Sequence, residues 1–200
     1  GVAMAREEVE RIHRLLGNLT LMTQLEVDAS CLGLREHRLD SLLESWSSSL
    51  TVAQRERLRW SGTHGDSFGP LRVDANAFRL VLDQLLDNAL CHGDPPVVVR
   101  LSQDDTHVLI EVWDQGQGIP DEQWQRALQP FQRIDAARGR QGHCGLGLAI
   151  VNHVIQQHNG RISFRRGDGC PGRFAVLLEW PRHGSVQPVF LQKTGLDPAP

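Results

Sequence analysis

Between Ala5 and Leu25 the apolar residues fall at Val9, Ile12, Leu15, Leu16, Leu19, Met22 and Leu25. Steps of three and four residues predict a helix with one apolar seam, suited to a partner helix or to packing on its own domain. A short strand is predicted over 34–38, a helix over 39–50, and two short strands over 57–61 and 71–73. Asp74 then stands as the N-cap of a longer helix. Its core face is Phe78, Val81, Leu82, Leu85, Leu86 and Ala89, at close to ideal helical spacing.

Pro95 and Pro96 end that region, and the β-branched runs 97–101 and 108–113 read as strands joined through 103–106. A short helix near 122–128 is followed by a polar loop with glycine and arginine over 133–144. Gly145 opens a helix over 146–157 that is apolar around much of its circumference and therefore buried, and Asn159-Gly160 closes it. Strands over 161–166 and 173–180 complete the pattern. One sheet with helices interleaved irregularly is an α+β arrangement: a two-layer α/β sandwich, mixed sheet with helices on one face, preceded by a single N-terminal helix.

Composition narrows the function. The 200 residues suffice for one packed domain with an appendage. Lys and Arg number 21 against 24 Asp and Glu, which argues against a dedicated nucleic-acid binder. No apolar run approaches the roughly 20 residues that cross a bilayer, and 2–10 is too charged to be the core of a signal peptide. Cys31, Cys91, Cys144 and Cys170 form no CxxC pair, so a reducing cytoplasm is the expected setting. The tail over 183–200 has no periodicity.

Three segments could carry chemistry. Gln84, Asn88 and Cys91 repeat at four and three residues, so they line one polar stripe beside the core face. An amide oxygen there can serve as a hard ligand for Mg²⁺, although a solvated helix face has the same pattern. Asp114-Gln-Gly-Gln-Gly118 sits where a strand runs out. A carboxylate in that place can accept from an exocyclic amine while the glycines let backbone approach a flat ring; an ordinary Asp-Gly turn looks alike. Gly142-His-Cys-Gly145-Leu-Gly147 runs into a helix, where free N–H groups favour phosphate, yet it lacks the Gly-Lys-Ser/Thr of a Walker loop.

The order of these parts is more specific than any one of them. Over 39–181 it resembles the ATP-binding fold shared by histidine kinases, gyrase, mismatch-repair ATPases and the ninety-kilodalton heat-shock chaperones. Leu82-Asp-Gln-Leu-Leu-Asp-Asn-Ala-Leu-Cys-His92 resembles the family's N box, Asp114–Gly118 the first glycine box, and Gly142–Gly147 the second. Phe131-Gln-Arg-Ile-Asp135 is similar to the F box of histidine kinases, and 167–172 to the weaker third glycine element. The resemblance implies that Asn88 binds Mg²⁺ and that Asp114 holds the adenine amine. It implies that Gly116, Gly118, Gly142, Gly145, Leu146, Gly147 and His92 border the nucleotide. Arg133 and Arg138 stand where the family often has phosphate-contacting arginines. Cys91 stands where it usually has Lys or Arg.

Members that hydrolyse ATP carry a Glu four residues before the metal-binding Asn, to activate water. Here that position is Gln84, which cannot act as a general base, so the resemblance points to phosphoryl transfer onto a side chain. Arg14-Leu-Leu-Gly-Asn-Leu-Thr-Leu-Met-Thr-Gln-Leu-Glu26 resembles the second helix of the dimerisation and histidine-phosphotransfer hairpin. The phosphoacceptor, a His followed by an acidic residue, is missing, since none of the nine histidines has Asp or Glu after it. The expected organisation is a truncated hairpin helix over 1–28, an ATP-binding catalytic domain over 29–182 and an irregular tail. The expected function is that of a two-component sensor histidine kinase. Its implied ligands are ATP or ADP and Mg²⁺; its implied partners are a response regulator receiver domain and, in the intact protein, a second copy of itself. The resemblance also implies an anchor in the bacterial inner membrane. A nucleotide-binding pseudokinase or sensor, and a serine kinase or ATPase of the same superfamily, are the alternatives.

Overall fold

The computed structural model describes residues 33–61, 68–132, 145–168 and 171–183, together with Val9. The rest of the expected N-terminal helix, the segment with Arg133, Arg138 and Gly142, and 184–200 lie outside the described residues.

In chain order the elements are β1 (Arg35–Arg38), α1 (Leu39–Ser49), α2 (Val52–Arg57), β2 (Leu58–Ser61), β3 (Pro70–Val73), α3 (Ala75–His92), β4 (Val97–Gln103) and β5 (His107–Asp114). A 3₁₀ turn (Asp121–Gln123) leads into the single turn α4 (Trp124–Ala127), followed by α5 (Gly147–Gln157), β6 (Arg161–Arg166) and β7 (Phe174–Pro181). The main sheet has the order β2-β4-β5-β7-β6. β2 and β4 are parallel, and every other neighbouring pair is antiparallel.

Two expectations are corrected. The strands do not form one sheet: β1 and β3 pair antiparallel with each other in a separate ribbon. Arg57, expected to open a strand, instead ends a helix over Val52–Arg57 for which no element was predicted. Thr51 and Gln54 form a reciprocal capping box there, so the polar backbone at the helix start is satisfied locally and no buried residue is needed.

Side-chain alternation sorts the main sheet into two faces. Val97 and Val99, then Val108, Ile110 and Val112, then Val176, Leu178 and Trp180 join the buried faces of α1, α3 and α5 in one core. The intervening Val98, Trp113, Ala175 and Leu177 form a small cluster on the opposite face. The result is the two-layer sandwich, with helices on one side. Trp46 of α1 donates its indole N–H to Asp83 of α3 at 2.8 Å, which ties the two helices together.

The long helix α3 starts where Asp74 accepts from the backbone N–H groups of Asn76 and Ala77 at 2.9 and 3.0 Å. A third bond comes from Gly33 at 2.9 Å. Burial alone would raise the Asp74 pKa, but these bonds and nearby His158 together hold it below the ordinary carboxylate value. His158, at the far end of α5, gives its Nδ1 proton to the Val154 carbonyl at 2.8 Å and packs edge-on to Trp180. α5 then stops in a Schellman arrangement. Asn159 takes φ 58°, its N–H donates to Gln156, and the N–H of Gly160 donates to Ile155.

Candidate functional site

The central strand β5 carries the sequence from the middle of the core to Asp114, its last residue, which pairs with Phe174 of β7. Asp114 is buried at 5 % exposure. Its Oδ1 accepts from the N–H of Gly116 at 2.7 Å, and between described residues no hydrogen bond reaches Oδ2. Burial pushes the carboxyl up to about 6; the Gly116 bond opposes the rise and neighbouring Asp94 adds to it. At neutral pH the group is an ionised acceptor with one oxygen fixed and the other uncommitted.

Backbone surrounds it closely. A Cβ at Gly93 would lie 2.3 Å from the Asp114 Cγ, and one at Gly116 would lie 2.8 Å from the Cα of Gly93. Gln115 N–H donates to the Asp94 carbonyl at 2.9 Å, locking the end of α3 beside the end of β5. Gly118 has φ +66°, and a Cβ there would enter the ring of Phe174. Behind the carboxyl, the N–H of Arg173 donates to the Asp114 carbonyl at 2.8 Å and Gln115 Nε2 to that of Pro171 at 3.1 Å. Gly93 escaped sequence reasoning. Gly93 has φ −93°, so its backbone needs no glycine, and only the fold reveals that the carboxyl takes the place of its side chain.

On α3, Gln84, Asn88 and Cys91 are half-buried between the core stripe and exposed Asp87 and His92. The Asn88 amide makes no hydrogen bond among the described residues. Gln84 faces α5, since a Cβ at Gly147 would stand 3.0 Å from its Oε1. α5 begins at Gly147 with Leu146 as its N-cap, one residue later than the helix expected over 146–157. Gly145 has φ +68° and presses on Gln132, while the N–H of Phe131 donates to the Gly145 carbonyl at 3.1 Å. A positive φ takes Gly145 out of the helix and makes it the turn before it. Leu146 is buried at 1 % exposure and belongs to the core. The structure therefore brings Asp114 and Gly116 to the end of α3, Gly118 onto Phe174 of β7, and Gly147 to Gln84. Arg133, Arg138 and Gly142 lie outside the described residues.

Metal fit can be judged from the donor set. Among the described residues no three His, Cys, Asp or Glu side chains come together as a cage. A single uncommitted amide oxygen at Asn88 suits Mg²⁺, which takes few protein ligands and completes its shell with water and phosphate oxygens.

A mixed sheet layered with helices thus holds a buried carboxylate against glycine backbone where its central strand ends. Residues 73–182 match the histidine kinase-, DNA gyrase B-, and HSP90-like ATPase family, and the chain belongs to it. The probable sensor histidine kinase TcrY of Mycobacterium tuberculosis is 35% identical over 187 residues, covering 88% of this chain and 38% of TcrY. The alginate biosynthesis sensor protein KinB of Pseudomonas aeruginosa is 32% identical over 181 residues, covering 86% of this chain and 29% of KinB. The chain thus spans less than two fifths of the length of either relative. The solved complex of histidine kinase ThkA with response regulator protein TrrA shares the fold. Its TM-score is 0.68 at 18% identity, covering 87% of this chain and 49% of that one. No described helix is long and apolar enough to cross a membrane.

Proposed function

We propose that this chain is the ATP-binding catalytic part of a sensor histidine kinase, which transfers the γ-phosphate of Mg-ATP to a histidine outside the chain and onward to a response regulator. The observation that carries it is Asp114: a buried acceptor with one free oxygen, closely approached by Gly93 and Gly116, in a family of ATPases. Asp114 Oδ2 takes the exocyclic amine of adenine, and the glycine backbone lies against the ring. Asn88 holds Mg²⁺, which when bound neutralises phosphate charge. Gly145, Gly147 and His92 border the phosphates and the pocket mouth, and Leu146, whose side chain is in the core, does so through its backbone alone. Gly142, Arg133 and Arg138 belong to the phosphate side by resemblance.

Gln84 supports transfer over hydrolysis. Its side chain is an amide, which takes no proton at neutral pH, and its oxygen lies beside Gly147 at the crossing of α3 and α5. The sensor-kinase relatives and the ThkA complex support a response regulator as the downstream acceptor. The apolar seam at 9–25 supports a homodimer in the intact protein, joined through a helical hairpin at the cytoplasmic side of the membrane. Units 1–28, 29–182 and 183–200 remain the organisation we favour.

The test is transfer in trans. Mixed with radiolabelled ATP, Mg²⁺ and a separately made helix hairpin bearing its histidine, the chain should label the hairpin and not itself. ADP binding without labelling would favour the pseudokinase reading instead, and ATP turnover without an acceptor would favour the ATPase.

Cys91 lends weight to that second reading, because a thiol replaces the usual cation on the half-buried stripe. Cys91→Lys is expected to tighten ATP about three- to tenfold and ADP less, as one charge beside a phosphate contributes on the order of 1 kcal/mol. Calorimetric titration of both nucleotides checks it; equal effects on the two would place the residue away from the γ-phosphate.

A further inference from the structure

In the loop after Asp114, residues 117–120 adopt no helix, strand or turn. Between described residues, no backbone–backbone hydrogen bond involves 117–119. That loop is gripped instead by one side chain from the edge strand β6. Arg166 gives its Nε proton to Asp121 Oδ1 at 2.8 Å, an Nη1 proton to the Gln117 carbonyl at 3.0 Å and an Nη2 proton to the Ile119 carbonyl at 2.8 Å. The second lone pair of the Ile119 carbonyl accepts from the indole N–H of Trp124 at 3.0 Å. A planar guanidinium with its donors in a rigid fork can hold three acceptors at once, which a lysine cannot.

Arg165, the residue before it, points to the other face, as strand geometry requires. It bonds buried Glu111 at 3.1 Å, whose second oxygen accepts from Trp113 Nε1 at 2.8 Å. The two arginines thus have separate duties. One holds the back of the sheet, and the other holds the loop that borders the nucleotide.

We infer that Arg166 is a positioning residue of the nucleotide pocket: it fixes the backbone of 117–119 and thereby the approach of Gly116 and Gly118 to the adenine ring. The inference rests on the nucleotide reading above and adds a residue that no glycine-box motif contains. Arg166 lies on an exposed edge, with 47% of its side chain open to solvent, so its loss should loosen the loop without unfolding the domain.

The experiment compares Arg166→Met, Arg166→Lys, Arg165→Met and Asp114→Asn with the unsubstituted chain. It uses ADP calorimetry, melting of the unliganded protein and amide hydrogen exchange. Arg166→Met should raise the Kd for ADP about tenfold and speed exchange at Gly116–Ile119, with Tm within about 1 °C. Arg166→Lys should recover part of the affinity. Arg165→Met should show the reverse: Tm lower by about 3–5 °C, since a buried carboxylate loses a partner, and an unchanged Kd. ADP binding that vanishes in Asp114→Asn but is untouched in Arg166→Met would overturn the inference alone. A Tm loss in Arg166→Met as large as in Arg165→Met would also overturn it, reducing Arg166 to a structural contact. Failure of the unsubstituted chain to bind ADP would overturn both readings.

Discussion

Asp114→Asn is expected to lose at least about 100-fold in ADP affinity while melting at a higher temperature than the unsubstituted chain at pH 7. Both effects follow from the same buried carboxyl. Oδ1 is committed to the Gly116 N–H, so an asparagine must put its oxygen there and turn its NH₂ toward the ligand. Two donors would then face each other across the adenine amine, and a hydrogen bond to a charged acceptor, worth about 1.5–3 kcal/mol, is replaced by a repulsive contact. The stability gain has the opposite origin. An acid held at about 6 in the folded state, against 3.8 when exposed, is destabilising wherever it is ionised. Below about pH 4 it is protonated in both states and costs nothing. The cost grows as pH rises from about 4 to 6 and is constant above that, reaching on the order of 3 kcal/mol. A neutral amide escapes it. The difference in Tm between the two proteins should therefore be several degrees at pH 7 and vanish near pH 4. ADP affinity of the unsubstituted chain should fall as pH drops through 6. Equal melting of both proteins at pH 7 would contradict the burial of a charged Asp114.

Gly118→Ala is expected to be severely destabilising for so small a change. The backbone at φ +66° lies in the left-handed region, where a Cβ costs roughly 1–2 kcal/mol. That Cβ would also come within 2.1 Å of the Phe174 ring. The ring cannot retreat: Phe174 is 2 % exposed and stacks on Phe164 at 5.8 Å, which packs on Trp124 at 5.6 Å. Overpacking of this kind costs typically 1–3 kcal/mol. The sum is about 3 kcal/mol, or about 6–12 °C in Tm for a domain of this size. Adding Phe174→Leu should return the packing part and leave the backbone part. Thermal melting of the single and double variants separates the two contributions, and a Gly118→Ala protein with unaltered Tm would mean that the loop takes another path.

What could be read from the chain was whatever repeats locally. The helical period from Phe78 to Ala89 and its cap at Asp74 predict α3 within a residue, because the buried stripe and the cap are encoded in contiguous sequence. The alternation along 108–113 likewise predicts β5 and places Asp114 at its end. Family membership was legible from the order of N box and glycine boxes. Features made by distant residues left no local trace. α2 buries nothing, so it offers no hydrophobic period to detect. The pairing of β1 with β3 joins segments more than thirty residues apart, and strand patterns do not name their partners. Gly145 and Gly147 look equivalent in sequence. Only the positive φ of the first and the close approach of Gln84 to the second tell the turn from the helix. Arg166 reaches its acceptors across 45 to 49 residues, and no motif announces it.

The meeting of Phe131 and Gln132 with Gly145 has a consequence for how this protein tolerates change. The two anchors of the 133–144 stretch are joined to each other by a hydrogen bond and a close packing contact. Gly145 itself is the position with no room to vary: its φ of +68° and the Gln132 carbonyl oxygen, 2.6 Å from where a Cβ would stand, exclude any side chain.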